Sequence, residues 1–155
     1  MLSRKAARDL TDREYRSLAE FRYKLRGFLR FTEENALQSG LEPQQYQALL
    51  ALRGLPQGAE ATVGFLAERL LLAHHSAGAM VDRLERKGLV RRLRDRRDRR
   101  KVFVLLRPKA RRILRRLASA SRGHLASAAP TLVAALRALR SNYSHHYPRV
   151  GEETR

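Results

Sequence analysis

Leu84-Glu85-Arg86-Lys87-Gly88-Leu89-Val90-Arg91-Arg92-Leu93-Arg94-Asp95-Arg96-Arg97-Asp98-Arg99-Arg100-Lys101-Val102-Phe103-Val104-Leu105-Leu106 is the stretch on which the fold turns. Gly88 stands where a helix closes on a left-handed residue, a conformation glycine adopts at little cost. Leu89–Arg94 and Lys101–Leu106 are β-capable, and the polar residues between them give a hairpin with a charged tip. Upstream, Ala77, Met80, Val81 and Leu84 recur at helical spacing. They form one apolar stripe of a helix from about His74 to Lys87, and His75, Ser76, Ala79, Arg83 and Arg86 fall broadly on the other side.

Further upstream, a turn at Leu71–Ala73 follows a short helix over Gly64–Leu70, which a short extended piece, Ala61-Thr62-Val63, precedes. Pro43 is a favoured first helical position, and the helix it opens runs through Tyr46, Leu49, Leu50 and Leu52 to Gly54. Leu55-Pro56-Gln57-Gly58 is a loop. Helix, short helix, turn, helix and basic hairpin is the element order of a winged helix-turn-helix, here over residues 41–107.

Helices flank this lobe on both sides. Thr11-Asp12-Arg13-Glu14 fits a capping box, with Leu10 and Tyr15 spaced for a hydrophobic staple. Leu18, Phe21, Leu25, Phe28 or Leu29, and Thr32 or Ala36 continue the period until Gly40, a run of about 27 residues or roughly 40 Å. So long a helix with two apolar sides suits one that crosses a subunit boundary. After Pro108 the chain turns helical through Ile113, Leu114, Leu117, Ala118 and Leu125. Pro130 reads as the start of a last helix through Leu132, Val133, Leu136 and Leu139, and the residues from about Ser141 read as a tail. The expected fold is therefore mainly α, an α+β winged helix with about six helices and a two- to three-stranded β-wing. The whole of 1–155 forms one domain, with helical regions 10–39 and 108–145 for dimerisation.

Composition narrows the partners. The 155 residues include 33 Lys+Arg against 15 Asp+Glu, a formal net charge of +18. Between Arg83 and Arg116 there are seventeen basic residues and three acidic ones (Glu85, Asp95, Asp98), a local +14. Charge so concentrated calls for a polyanion. Cysteine is absent, which removes disulfides and thiolate chemistry. The first residues lack the apolar stretch of a signal peptide, and no apolar run is long enough to span a bilayer, so a cytoplasmic, nucleoid-associated protein is expected.

The helix over 74–87 offers its polar side to a major groove: His74, His75, Ser76, Gly78, Ala79 and Arg83 are the candidate contacts with double-stranded DNA. Gly78 inside a helix costs about 1 kcal/mol relative to alanine. It has two readings, close helix packing or close approach to a DNA edge. In the tip, Arg94, Arg96, Arg97, Arg99 and Arg100 suit a narrow minor groove, whose potential attracts guanidinium. Asp95 and Asp98 read as local acceptors that hold neighbouring arginines.

Leu84–Val90, the Asp95-x-x-Asp98-Arg99-Arg100 tip and Val102–Leu106, with Leu66-Ala67-Glu68-Arg69-Leu70 ahead of them, resemble the MarR family of bacterial transcriptional regulators. The resemblance covers about residues 41–110 by motif and nearly the whole chain by element order. It implies a homodimer joined by the N-terminal helix and the C-terminal helices. It also implies that His74–Lys87 reads the major groove while Arg100, with Asp98 as its holder, enters the minor groove. Departures from the family pattern are Arg96 and Arg97 within the tip, Leu106-Arg107-Pro108-Lys109-Ala110 after the wing, and His74-His75 at the start of the reading helix.

Other chemistry is sparse. The adjacent pairs His74-His75 and His145-His146 lack a carboxylate at i+3 or i+4, and neighbours on a helix point about 100° apart, so no metal or other cofactor is expected. Ser76, Ser119, Ser121 and Ser127 lack a nucleophile-elbow context and no phosphate-binding glycine loop occurs, so no enzyme is expected. DNA contact by His75 or helix capping by His74 is the better use of the first pair. Asp82 and Arg86 are spaced for an i,i+4 ion pair. Tyr15, Tyr23, Phe28 and Tyr46, beside Phe21 and Phe31, are candidates to line a small-molecule effector pocket, with plain packing as the alternative. The resulting expectation is a dimeric, sequence-specific regulator, a ligand-responsive repressor on a palindromic operator. Its rival is an architectural DNA-coating protein.

Overall fold

The computed structural model describes residues 10–98 and 100–144. Five helices and two strands occur among them, in the order α1 (Asp12–Gln38), α2 (Pro43–Arg53), α3 (Val63–Arg69), α4 (His74–Arg86), β1 (Val90–Arg94), β2 (Val102–Leu106) and α5 (Pro108–Ser144). Two compact units result. One comprises the described residues up to Arg30 with those from Gly123 onward; the other is Phe31–Arg122.

Local chemistry sets the helix ends. Thr11 and Glu14 form the reciprocal capping box: Glu14 Oε2 accepts from Thr11 N at 2.8 Å, and Thr11 Oγ1 accepts from Glu14 N at 3.3 Å. The expected staple is not a buried contact, since Leu10 and Tyr15 are 41% and 59% exposed. A second capping box, Glu42 with Gln45, starts α2 ahead of Pro43. Gly40 and Gly88 take φ of +76° and +69°, which lets the chain leave α1 and α4 in the left-handed region. Thr62 caps α3 by accepting from Phe65 N, so Val63 is already the first helical residue and not part of an extended piece. At α4 the cap position is Ala73 with no side-chain bond, and His74 sits inside the helix, which corrects its assignment as a cap.

The second unit holds the main core. Leu49, Leu66, Met80, Leu84, Leu89, Val90 and Val104 pack there from every element of the lobe, joined by Leu114 and Leu117 of α5. The stripe read from sequence on α4 is fully inward: Ala77, Met80, Val81 and Leu84 are all buried. The hairpin is antiparallel with Val90 opposite Leu106 and Arg94 opposite Val102. A bridge from Thr62 to Phe103 and a 2.7 Å bond from Val104 N to Ala61 O lay a third short segment against the wing.

Two expectations at the C-terminal end are corrected. Pro130 lies inside α5 and does not open a new helix, and the helix continues through 141–144, the rest of the expected tail lying outside the described residues. A proline removes one helical hydrogen bond and releases the carbonyl four residues back. That carbonyl belongs to Ala126, which is exposed, so water is available to it. The hydroxyls of Ser127 and Thr131 bond back to His124 O and Ala128 O in the same turns.

Candidate nucleic-acid interface

The polar side of α4 and the wing tip lie in one unit, and the core just described fixes them to each other. On α4, His74, His75 and Ala79 are exposed, whereas Ser76, Gly78 and Arg83 are half-buried. Arg83 Nε is sealed from solvent without a partner, so this side chain is less available than expected. At Gly78 a Cβ would meet nothing within 4 Å, so close helix packing does not explain the glycine.

In the wing, the aspartates act on the backbone. Asp95 Oδ1 accepts from Arg97 N at 2.6 Å and Asp98 N at 3.1 Å, and Asp98 Oδ1 accepts from Arg100 N at 3.0 Å. These bonds fold the tip into consecutive side-chain-closed turns. The aspartates are local acceptors for neighbouring arginines, and the bonds run to the main chain because the short carboxylates reach the nearest amides first. Each aspartate thus positions an arginine through its main chain. The two bonds from the tip amides hold the Asp95 carboxyl below the usual aspartate range. Arg94, Arg96, Arg97 and Arg100 are exposed. Arg99 lies outside the described residues.

A second set of contacts, not read from the sequence, joins wing to helix. Arg92 on β1 donates from Nη1 to Glu85 Oε2 at 2.9 Å and from Nη2 to Gly78 O at 3.3 Å, and its Nη1 forms an ion pair with Asp82 Oδ1 at 2.7 Å. Its backbone N–H also donates to Glu85 Oε1 at 2.9 Å. One side chain thus brackets the wing onto α4 and pairs with both carboxylates on that helix. The bond from the Arg92 amide is the chief cause that lowers the Glu85 carboxyl below the usual glutamate range, with the guanidinium adding to it against partial desolvation. The expected Asp82–Arg86 pair is replaced: Asp82 turns to Arg92, and Arg86 Nε reaches only Asp82 O at 3.4 Å. A fork with two acceptors on one face outcompetes a single flexible pair on the helix surface. The alternation of Arg91 and Arg92 in β1 was the available signal, since only one of the two shares a face with α4.

At the wing base, Lys101 Nζ bonds both Glu60 carboxylate oxygens at 2.8 and 3.0 Å, which raises the lysine above its ordinary range. Between wing, α3 and α4 runs a cleft of about 690 Å³ lined by Thr62, Val63, Gly64, His74, Arg92, Arg94, Arg100, Lys101 and Val102. It brings together His74, Arg94 and Arg100 from the expected site, and no carboxylate lines it. Strand, tip and reading helix thus each contribute a side chain to one cleft.

The four aromatic candidates fall in both units, Tyr15, Tyr23 and Phe28 in the first and Tyr46 in the second. Tyr15 and Tyr23 are 59% and 68% exposed on α1, and Phe28 stacks on His124 with ring centroids 6.3 Å apart. Tyr46 is buried in the lobe core with its hydroxyl 3.2 Å from Ser121 Oγ. Among the described residues no group of three histidine or acidic side chains is placed to hold a metal. No helix among them is long and apolar enough to cross a membrane.

Comparison with known proteins agrees with this architecture. Residues 39–101 match the MarR family. A MarR family protein from Bacillus stearothermophilus superposes with a TM-score of 0.67 at 27% identity, covering 88% of this chain and 98% of its own. A MepR mutant from S. aureus, solved bound to an oligodeoxyribonucleotide, gives 0.58 at 20% identity, covering 88% and 96%. BpsR from Bordetella bronchiseptica, described for regulation of its DNA binding by 6-hydroxynicotinic acid, gives 0.58 at 23% identity, covering 79% and 89%. No curated protein matches the sequence. The resemblance read from residues 84–106 thus holds at two levels, and the fold is that of the MarR family transcriptional regulators.

Proposed function

We propose that the protein is a dimeric, sequence-specific DNA-binding transcriptional regulator, a repressor on a palindromic operator whose affinity a small molecule lowers. The observation that carries the DNA reading is the bracketed pair: a helix with one buried and one exposed side, clamped by Arg92 to a wing whose aspartates bond backbone amides and leave Arg96, Arg97 and Arg100 exposed. His74, His75, Ser76, Gly78 and Ala79, with a lesser part for Arg83, face the major groove. Arg94, Arg96, Arg97, Arg99 and Arg100 reach phosphate and minor groove, with Asp98 setting the backbone of Arg100. The MepR complex supports this use of the fold, and BpsR supports an effector.

Dimerisation through 10–39 and 108–145 rests on what a single chain leaves uncovered. The 27-residue α1 buries only Ala36. Leu18, Leu25 and Leu29 on α1, and Leu125, Val133 and Leu136 on α5, are each 38–48% exposed. Apolar side chains at helical spacing call for a second surface. A two-fold dimer then reads half-sites about 10 bp apart. We place it in the cytoplasm, on the nucleoid.

Footprinting on genomic fragments checks the reading: one or a few protected palindromes are expected, and uniform protection of all DNA sinks it. That outcome would favour the architectural alternative, whose motive is the +14 between Arg83 and Arg116. Titrating a palindromic and a scrambled duplex at two salt concentrations separates the two by their specificity ratio.

A further inference from the structure

Three helix ends among the described residues close with the same pair of main-chain bonds. After α1, Gly40 N donates to Leu37 O at 3.0 Å and Leu41 N to Ala36 O at 3.0 Å. After α4, Gly88 N donates to Glu85 O at 2.9 Å and Leu89 N to Leu84 O at 3.0 Å. After α3, Leu71 N donates to Glu68 O at 3.2 Å and Leu72 N to Ala67 O at 2.8 Å. Each closure sets its first donor in the left-handed region, at φ of +76°, +69° and +54° in turn. Each also turns the next residue inward: Leu41 and Leu89 are buried, and Leu72 packs against the core. This closure favours glycine at the left-handed place. The first two have it; the third carries Leu71, the only non-glycine at positive φ among the described residues.

A side chain there costs free energy that glycine would not. Nothing within the chain offsets that cost. The closing bonds come from the main chain, and Leu71 is 93% exposed. A lone exposed leucine is ordinary. A leucine that is both exposed and held in a disfavoured backbone conformation points to a use outside the chain. Its place narrows that use. Leu71 stands three residues ahead of His74, which lines the wing cleft with Arg94 and Arg100. Ala73, His74 and His75, which follow it, are exposed. Leu71 therefore lies at the entry to the side of α4 read above as facing a major groove. An apolar partner protein or a lipid surface calls for a patch. Here Leu72 is packed inward and two histidines follow, so one apolar side chain stands among polar neighbours. The major-groove edge of a duplex has a matching feature: the thymine 5-methyl is its one apolar group, and the other groups there are hydrogen-bond donors and acceptors.

We propose that Leu71 is a specificity-determining residue that packs on the 5-methyl group of a thymine in each half-site. This rests on the DNA-binding reading above and adds to it an apolar contact beside the polar ones of α4. The disfavoured backbone at Leu71 is the cost of holding that side chain out from the turn.

Fluorescence anisotropy on the footprinted palindrome tests it, with wild type measured first. If wild type prefers no palindrome, the sequence-specific reading fails and the role of Leu71 fails with it. On the palindrome, each symmetric pair of thymines is then replaced by deoxyuridine, which deletes the methyl and keeps every hydrogen-bonding group. One such pair is expected to weaken wild type by about fourfold for each methyl lost. Leu71→Gly should weaken the thymine duplex by about tenfold or more and be indifferent to that same deoxyuridine pair. Leu71→Met, which restores apolar reach, should recover both affinity and methyl dependence. Melting of Leu71→Gly should not fall, so unfolding does not account for its lost affinity. Wild type that ignores every deoxyuridine, Leu71→Gly that binds the palindrome like wild type, or deoxyuridine penalties equal in the two proteins overturns the proposal. In the last two cases wild type still selects the palindrome, and the DNA-binding reading stands.

Discussion

Replacing Arg92 with alanine removes a guanidinium that reaches Asp82, Glu85 and the Gly78 carbonyl at once. Charge-assisted bonds of this kind are worth about 1.5–3 kcal/mol when shielded from water. Here the Asp82 and Glu85 side chains are 58% and 40% exposed, so the lower range of about 0.2–1 kcal/mol per pair applies. The two carboxylates then face each other at i,i+3 without a counter-charge, adding roughly 0.2–0.5 kcal/mol. The sum is about 1.5 kcal/mol, or a fall in melting temperature of about 3–6 °C for a domain of this size. The effect on DNA should be larger in proportion. The wing loses its bracket to α4, and two bare carboxylates meet phosphate, so affinity should fall by about tenfold or more. Circular dichroism melts and fluorescence anisotropy on the protected duplex give the two readings. Arg92→Ala paired with Glu85→Gln should show a coupling of about 0.5–1 kcal/mol in a double-mutant cycle. Melting within about 1 °C of wild type, together with unchanged DNA affinity, would refute the bracket.

Four further outcomes follow from the same geometry. Gly78→Ala should stabilise the protein by about 0.5–1 kcal/mol in urea titration, since the added methyl meets nothing, while weakening DNA binding if the helix approaches a base edge there. Leu71, 93% exposed at φ +54°, gains nothing from burial, and Leu71→Gly should raise stability by about 0.5–1 kcal/mol in the same assay. Arg100→Ala should weaken DNA binding strongly and lower the salt slope by about one ion, with the dichroism spectrum intact; lost helix would mean a structural role. Glu85 sits below its ordinary value in the folded state, so its contribution is present above an unfolded pKa near 4.5 and is lost as pH falls through the folded value. Acid melts below that point should therefore be steeper for wild type than for Glu85→Gln.

Much of this was legible because it depends on near neighbours along the chain. The Thr11–Glu14 box, Pro43 as first residue of α2, Gly40 and Gly88 as exits, and the inward stripe Ala77, Met80, Val81 and Leu84 all follow from local spacing. The wing follows likewise, since its strands are adjacent and its tip is polar. Misreadings came where two local rules competed. Pro130 usually marks a helix start, yet α5 continues through it with an exposed carbonyl released. Asp82 had a partner four residues on, yet bonded one from the next element.

The sequence by itself determined the element order of the lobe, the side of α4 that is buried and the place where positive charge collects. Each of these is set by periodicity and by short-range hydrogen bonds. Only the tertiary structure decided which arginines are spoken for. Arg91 and Arg92 are neighbours of one type, but strand alternation and the turn at Gly88 bring one of them onto Asp82 and Glu85. Arg53 is nearly sixty residues from Arg111 along the chain, yet packing of α2 against α5 places both at the rim of one apolar groove. Charge count is a property of composition; compensation depends on which side chains the packed core brings within a few ångströms, and that is settled through contacts distant in sequence.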